Sequence, residues 1–333
     1  MARDKNLNRR GFLKTSLLTS TGAALTYPAH AESAAPTDTK PIASDLKIKP
    51  NSKNTLPQGK IGNLNVSRIL LGGNLLTHYT HSRDLRYVYN LAAHYNTVPK
   101  IHQTMALAEA HGVNTLVIHT APGVMNFLSK YRYQMGGKIQ WIICPTAEID
   151  TSLDAYRKQV QQIVQQGVDA IYLWGVRSDA LIAQGKIDLI KRTVDLVRDF
   201  NIPTGVGAHD LRAVEACEKH KVNPDFYIKT LHHHKYPTAP RKDQIKGVTA
   251  EIPGYWCKNP DKVIAVMKEV ARPWIAFKVM AAGAIPPKNA FQYAYQNGAD
   301  HIVAGMFDFE IPEDVRIANN ILKNTNRSRP WRS

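Results

Sequence analysis

The chain has 333 residues, of which 44% are hydrophobic, and a formal net charge of +16 at pH 7, with an isoelectric point of about 9.7. This length and composition exclude a chain too polar to bury a core, and they allow one large domain. The basic balance favours anionic partners but does not indicate a fold. The cysteines, Cys144, Cys217 and Cys257, are odd in number, so no disulfide framework is predicted.

Residues 1–31 have the pattern of an export signal. Paired arginines at positions 9 and 10 precede Phe-Leu-Lys, a mildly apolar stretch follows, and Ala29-His30-Ala31 forms a small-x-small cleavage site. The paired arginines resemble a twin-arginine (Tat) signal, so we expect a periplasmic or secreted protein with the Tat machinery as a partner. The apolar run is too short for a stable membrane anchor. Loss of this segment, with five basic residues and one acidic residue, would leave a charge of +12.

Residues 32–56 are rich in Ala, Pro, Ser, Thr and Lys and are predicted to be a flexible linker. A hairpin that turns at Gly62-Asn63 comes next. Eight apolar strands then alternate with helices. The predicted strands are 68–73, 114–119, 140–145, 170–175, 203–208, 226–231, 274–279 and 301–306, and the helices are 98–112, 123–132, 152–167, 187–201, 211–221, 259–271, 286–298 and 311–324.

This alternation predicts an α/β fold of the (β/α)8 TIM-barrel type over residues 57–325, with the hairpin at the barrel bottom and a basic tail at 326–333. A doubly wound open sheet is the rival, but no glycine-rich phosphate fingerprint follows the first strand. In a TIM barrel the catalytic groups lie at the carboxyl ends of the strands and in the loops that follow them. The functional site is therefore expected at those strand ends.

Period-two alternation predicts which side chains at the strand ends point into the barrel. His119 ends the second strand and His209 follows the fifth, both in the inward phase. In the seventh strand, Ile275, Phe277 and Val279 are placed outward, so Lys278 is predicted to point inward. A lysine at that position requires a partner or a function. His119, His209 and Lys278 are the candidate catalytic residues, with Asp308 after the eighth strand as the partner of Lys278.

The sixth strand leaves two phases open, with either Thr230 and His232 or Lys229 and His233 inward. Histidines beside a carboxylate suit a divalent transition metal. A possible metal set is therefore His209, His232 and Glu148, although no close His-x-His spacing accompanies it.

Polar and aromatic side chains near the strand ends are candidates for substrate binding. The loop after the sixth strand is long, basic and aromatic, as binding walls and lids often are. Packing on the barrel rim is the alternative role for this loop. The candidate substrate-binding residues are Asn74, Trp174, Arg177, His232, Tyr236 and Trp256.

Four segments, KIGNLNVSRILLGGN, HGVNTLVIHTAP, GVDAIYLWGVR and AGMFDFEIPEDVRIANNIL, together resemble the aldo/keto reductases over about residues 57–324. The resemblance implies a (β/α)8 barrel with a bottom hairpin and the use of NADPH. The family needs an Asp and a Tyr after strand two, a Lys on strand three and a His ending strand four. By this alignment the positions hold His119, Val124, Cys144 or Pro145, and Trp174, so the reductase mechanism is not expected.

The leading hypothesis is an exported barrel enzyme that performs non-redox acid/base chemistry, as a lyase, isomerase or hydrolase, on a small-molecule or oligosaccharide substrate, a carbohydrate with negative charge. One alternative is a periplasmic oxidoreductase with tightly bound NADP, and another is a non-catalytic sugar-binding barrel. The cofactor stays open between a divalent metal and NADP, with the metal favoured. No nucleic-acid-binding motif is found. The substrate, the reaction and the oligomeric state do not follow from the sequence.

Overall fold

The computed structural model describes residue 53 and residues 55–333. The predicted export signal and nearly all of the predicted linker lie outside these residues. Within them, no helix is long and apolar enough to cross a membrane.

Ten strands occur in the described residues, and eight of them close a parallel barrel in chain order. The barrel strands are β3 (Ile69–Gly72), β4 (Thr115–His119), β5 (Gln140–Cys144), β6 (Ala170–Leu173), β7 (Thr204–Ala208), β8 (Phe226–Thr230), β9 (Trp274–Phe277) and β10 (His301–Ala304). Closure comes from β10, which pairs with both β3 and β9. The predicted TIM barrel is therefore confirmed, and every barrel strand overlaps its predicted range.

Helices cover the outside of the barrel, and two of them were not predicted. The helices are α1 (Arg86–Tyr95), α2 (Val98–Ala110), α3 (Val124–Ser129), α4 (Asp154–Gln165), α5 (Gly175–Ala183), α6 (Ile187–Arg198), α7 (Leu211–Lys219), α8 (Pro260–Glu269), α9 (Pro287–Gln296) and α10 (Ile311–Asn324). A π-helical turn, Lys130–Gln134, follows α3. Helix α1 buries only Ala92, and its Tyr87 and Leu91 are exposed, so it adds little to the core. Helix α5 begins directly after Trp174, inside a segment assigned to a strand.

The two faces of each barrel strand contribute to separate apolar layers. Val117, Ile142, Phe226, Ile275 and Val303 belong to a cluster inside the barrel, and the alternate residues pack against the helices. The predicted phases of β4 and β7 are confirmed, because Leu116, Ile118, Val206 and Ala208 lie in the outer layer. For β8 the inner cluster contains Phe226 and Ile228, which puts Thr230 in the inward phase.

The predicted phase of β9 was wrong. Ile275 lies in the inner cluster, and Phe277 packs against it, so the regular alternation would direct residue 278 outward. The strand ends at Phe277, and Lys278 takes a left-handed conformation with φ of 56°. This conformation breaks the period-two pattern, because it turns the backbone after the strand.

The opposite end of the barrel is closed by the hairpin and by the last residues of the chain. Strands β1 (Gln58–Ile61) and β2 (Leu64–Ser67) pair antiparallel, as predicted, and Ile61 and Val66 join the inner cluster. Gly62 turns the hairpin at φ of 57°, where a Cβ would lie 2.7 Å from the Pro203 ring.

The predicted basic tail packs against the barrel base. The Arg329 guanidinium is fully buried, and its Nη1 donates to Asp300 Oδ2 over 2.6 Å. The Trp331 ring lies between the guanidinium groups of Arg68 and Arg327, which are 3.9 and 3.4 Å from its centroid.

Candidate active site

Two loops meet at the carboxyl ends of the strands, and one carboxylate joins them. Glu251, in the long loop between β8 and α8, accepts hydrogen bonds through Oε1 from the backbone amides of Ser82 and Arg83, at 3.0 and 2.9 Å. Those residues belong to the loop after β3. The Arg83 guanidinium also donates to the Thr238 and Pro253 carbonyls of the long loop. The two loops are thus held together at the barrel mouth.

The same carboxylate begins a chain of three ionisable groups. Glu251 Oε2 lies 2.9 Å from His81 Nδ1, and His81 Nε2 lies 2.8 Å from Lys278 Nζ. Because a carboxylate only accepts hydrogen bonds, Nδ1 carries the proton and a neutral His81 presents Nε2 as an acceptor to the lysine. Burial lowers the pKa of His81, although the bond to Glu251 opposes that shift. The three side chains therefore form a hydrogen-bonded chain, which we call the Glu251–His81–Lys278 relay.

Lys278 has the properties of an activated amine. Burial lowers the pKa of Lys278 to about 7, against the attraction of Glu251 and Asp179, so this amine loses its proton far more readily than an exposed lysine. No carboxylate of the described residues forms an ion pair with it. Its left-handed backbone, together with those of Ala281 and Ala282, is costly for non-glycine residues, and such strain clusters at active sites.

A second ionisable pair lies beside the lysine. His209 Nδ1 donates to Asp179 Oδ2 over 2.8 Å, and Asp179 also accepts from the backbone amides of His209 and Asp210. Nε2 of His209 has no hydrogen-bond partner among the described residues and carries a free lone pair in this tautomer. Burial lowers the pKa of His209 to about 4, and the charge of Lys278 adds to the shift. His209 is therefore a neutral acceptor at pH 7.

Packing fixes the position of the His209 ring. A Cβ on Gly175 would lie 3.4 Å from His209 Nδ1, and the Phe277 ring is 5.2 Å away between centroids. Below the ring, the fully buried Lys229 donates to the His209 carbonyl over 2.9 Å and to Thr230 Oγ1 over 2.7 Å. Lys229 is thus a buried support for the loop that carries His209.

His119 and Trp174 lie together at the mouth, as the strand ends predicted. Their rings are parallel within 7° at 6.3 Å, and the Tyr79 ring meets His119 edge-on at 4.9 Å. Burial lowers the pKa of His119 to about 4, and its buried Nε2 has no partner among the described residues. His119 therefore offers a neutral imidazole to the barrel interior.

Trp256 forms a wall beside the relay. Its ring lies 5.3 Å from the His81 ring and 5.5 Å from Lys278 Nζ. The ring is almost fully buried, so it contributes an apolar, electron-rich face to the amine. A cation at the position of Nζ is stabilised by such a face.

Other predicted residues lie elsewhere or have internal partners. Asp308 does not pair with Lys278, because it accepts from Tyr95 at 2.6 Å and from Lys100 at 2.9 Å. Arg177 pairs with the exposed Glu148 at 2.5 Å. The hydroxyl of Tyr236 donates to the Gly254 carbonyl.

Two further predicted residues differ in their freedom to bind a ligand. His232 is fully buried; its Nε2 accepts from the backbone amides of Trp256 and Cys257, and Nδ1 lies 3.0 Å from the His233 carbonyl. Both ring nitrogens are therefore used to shape the long loop. Asn74 is half-buried, and its side chain makes no hydrogen bond within the described residues.

The structure does not bring the three predicted metal ligands together. Across residues 53 and 55–333, no group of three or more His, Cys, Asp or Glu side chains could hold a metal ion. Both nitrogens of His232 are occupied, and Glu148 is 76% exposed beside Arg177. The ionisable side chains at this mouth instead hydrogen-bond to one another, as Glu251 does to His81 and Asp179 does to His209.

The NADP that the barrel resemblance implies does not fit the turn that should hold its phosphates. Helix α10 begins with Glu313 and Asp314 in its first turn, and the Phe307 amide already donates to Glu310 Oε2 over 2.8 Å. Burial, with repulsion from Glu310 and Glu313, raises the pKa of Asp314 to about 7. A pyrophosphate needs free amides and a positive field, and this helix start provides neither.

A cavity of about 290 Å³ beside β4, β5 and α4 is separate from the relay. It is lined by Thr120, Ala121, Pro122, Met125, Thr146, Gln159, Gln162, Ile163 and Gln166. None of these side chains is ionisable, so the cavity offers no group for acid/base catalysis.

The sequence interpretation missed Glu251 and Asp179, and it assigned no catalytic role to His81. Glu251 lies 170 residues from His81 along the chain, and no local pattern connects them. Asp179 lies five residues beyond Trp174 on the unpredicted α5. A helix assigned there would have brought Asp179 to the end of β6.

Comparison with known proteins supports the fold. The sequence matches no protein-family model, and no curated protein matches it. Two solved structures of a "putative aldo-keto reductase" from Pseudomonas aeruginosa are similar, with identities of 16% and 17% and TM-scores of 0.54 and 0.55; each match covers 82% of this chain and 97% of the other. A truncated 3-deoxy-D-arabino-heptulosonate 7-phosphate synthase from Thermotoga maritima has 9% identity and a TM-score of 0.46, over 80% of this chain and 91% of the other. At these identities the first two likenesses establish the shared barrel fold alone.

Proposed function

We propose that this chain is an exported barrel enzyme that performs non-redox acid/base chemistry on a carbohydrate with negative charge. The observation that carries the proposal is the Glu251–His81–Lys278 relay, with distances of 2.9 and 2.8 Å. General acid/base catalysis needs a group whose pKa lies near the working pH, within hydrogen-bond reach of a second group that stores the proton. Lys278, with a pKa of about 7, and His81 meet both requirements.

Lys278, His81 and His209 have separate roles in the proposed proton transfer. The neutral Lys278 amine removes a proton from the substrate, and His81 takes the proton from Nζ through Nε2, with Glu251 stabilising the imidazolium. His209 Nε2 accepts a hydrogen bond from a substrate hydroxyl, because Asp179 holds its proton on Nδ1. Such positioned groups accelerate proton transfer by about 10²–10⁴-fold.

The surroundings of the relay support a sugar as the substrate. Trp174 and Tyr79 lie at the mouth beside His119, and sugar rings offer C–H faces that pack on aromatic rings. The charge of +12 that remains after loss of residues 1–31 favours an anionic group on that sugar. The export pattern of residues 1–31 supports a periplasmic or secreted location.

Solvent deuterium incorporation tests this function for a lyase or an isomerase, because both remove a proton from carbon. The full chain, purified after export, is incubated in D2O with a panel of aldoses, ketoses and uronic acids, and proton NMR follows exchanged C–H signals and new products. We expect exchange or turnover with at least one member, reduced at least about 100-fold in Glu251→Gln and in His209→Asn. Exposed residues supply the matched controls Glu269→Gln and His220→Asn, which should behave as wild type.

Other results would overturn the proposal in favour of specific alternatives. A nucleotide found by absorbance and mass spectrometry in the exported protein, with reduction of the panel sugars, would favour an oxidoreductase. Thermal stabilisation by a panel sugar without exchange or product would favour a sugar-binding barrel. Full activity in both active-site variants would remove the relay and the His209 pair from the mechanism.

A further inference from the structure

We propose that Lys278 attacks the free carbonyl of an open-chain aldose or ketose and holds the sugar as a covalent imine. This inference rests on the proposed acid/base function and adds to it the substrate class and the covalent intermediate; once Lys278 is bonded to the carbonyl carbon, His81 and His209 are the groups that accept a substrate proton. It is carried by the position of Nζ, the direction of its hydrogen bond and the groups that surround it.

The hydrogen-bond direction leaves the amine ready to react. Glu251 keeps the His81 proton on Nδ1, so Nζ donates to Nε2 over 2.8 Å. A neutral amine that donates one N–H retains its lone pair. By contrast, Lys229 contacts three acceptors and is fully buried, whereas Lys278 is only half-buried and can meet a ligand.

The reaction balances with groups at the site. The Nζ lone pair forms a bond to the carbonyl carbon, and the C=O π pair moves to oxygen. His81 Nε2 carries the two N–H protons of the amine to that oxygen in turn: the first transfer gives the carbinolamine hydroxyl, and the second protonates this hydroxyl so that it leaves as water. The nitrogen lone pair forms the C=N bond as water leaves, so amine and carbonyl give imine and water with no other reactant.

The surroundings stabilise the cation that forms when the imine is protonated. Nζ lies 5.5 Å from the Trp256 ring centroid and 5.9 Å from that of Phe277, and cations are attracted to such faces. The ionisable groups that face it are His81, Glu251, Asp179 and His209. Two of these are carboxylates, so a cationic iminium is compensated without an ion pair that would hold the free amine protonated.

Reductive trapping tests the proposal with a defined probe. The full chain is treated with glycolaldehyde and sodium cyanoborohydride at several pH values, and peptide mass spectrometry measures the initial labelling rate of each lysine. At pH 7 an exposed lysine is neutral in about 1 of 2,500 molecules, whereas a lysine of pKa 7 is neutral in about half. An amine of lower pKa is a weaker nucleophile, and Lys278 is partly buried, so its labelling rate gains less than the ratio of the neutral fractions. We therefore expect Lys278 to label at least about 10-fold faster than the exposed Lys191.

The pH profile and one variant separate the imine from simple exposure. Labelling of Lys278 should reach half its maximum near pH 7, while labelling of Lys191 still rises at pH 9. Glu251→Gln should slow the labelling of Lys278 but not that of Lys191, and Glu269→Gln should slow neither.

Labelling of Lys278 no faster than that of Lys191, in protein with an unchanged circular dichroism spectrum, would overturn the imine. If Glu251→Gln still abolished deuterium exchange in that case, the acid/base function would stand with Lys278 as a noncovalent base. Fast labelling of Lys278 in a protein without exchange on any sugar would instead count against the proposed function.

Discussion

Removal of the Arg329 guanidinium should strongly destabilise the barrel, because it leaves buried acceptors at the barrel base without a donor. In Arg329→Met, Asp300 loses a buried partner at 2.6 Å, and the carbonyls of Gly298, Val270 and Arg272 lose donors at 3.1, 2.8 and 2.7 Å. Breaking a buried pair by removing one partner costs about 3–5 kcal/mol. This is a large part of the roughly 5–15 kcal/mol by which a domain is stable.

Urea unfolding, followed by tryptophan fluorescence and circular dichroism, measures the loss. At a slope of about 3 kcal/mol per molar urea, the midpoint should fall by roughly 1–1.7 M. The matched control is Arg198→Met, because the Arg198–Asp195 pair is about half exposed on both sides; exposed pairs contribute about 0–1 kcal/mol. A loss below about 1 kcal/mol in Arg329→Met, with an unchanged slope, would refute the assignment of the tail as part of the barrel core.

Two further predictions concern the core and the start of α10. The folded pKa of Asp314 of about 7 exceeds the unfolded value of about 3.9, so the folded state holds the extra proton and stability falls as pH rises from about 4 to 7. Asp314→Asn should remove most of that fall, on the order of 4 kcal/mol, as read from unfolding midpoints at pH 4 and 8; an unchanged pH dependence would contradict it. Gly205→Ala should cost about 1–3 kcal/mol, because the added Cβ would lie 2.4 Å from the Phe226 ring, whereas Gly247→Ala, with no contact under 3.5 Å, should be neutral by the same measurement.

The barrel could be predicted from sequence because its strands are buried on both faces. Such strands appear as continuous apolar runs, and the turns and helices that separate these runs indicate the number of strands. The inward phase of β4 and β7 followed from alternation alone. The phase of β9 did not, because Ile275 and Phe277 are apolar and so is Val279. Lys278 reaches the mouth through a left-handed residue, which alternation does not predict.

The acid groups of the site were harder to predict than its bases. Lys278, His119 and His209 lie at the carboxyl ends of strands, where the catalytic groups of TIM barrels are found. Their partners do not follow such a rule. Glu251 reaches His81 only because two loops far apart in sequence meet in the fold, and Asp179 lies on α5, which carries little apolar pattern. Histidine clustering predicted a metal, but hydrogen bonds to carboxylates and backbone use most of those nitrogens.

The two oxygens of Glu251 link the position of the mouth loops to the protonation of His81. Its Oε1 holds the backbone of Ser82 and Arg83, and its Oε2 orients His81. A movement that parts the two loops therefore also withdraws the carboxylate that fixes the His81 tautomer. The imidazole could then turn a donor toward Lys278, and the lysine would lose its proton acceptor. Under the proposed function, such a parted mouth would leave the amine without its proton acceptor, so proton transfer would need the two loops joined as they are in this structure.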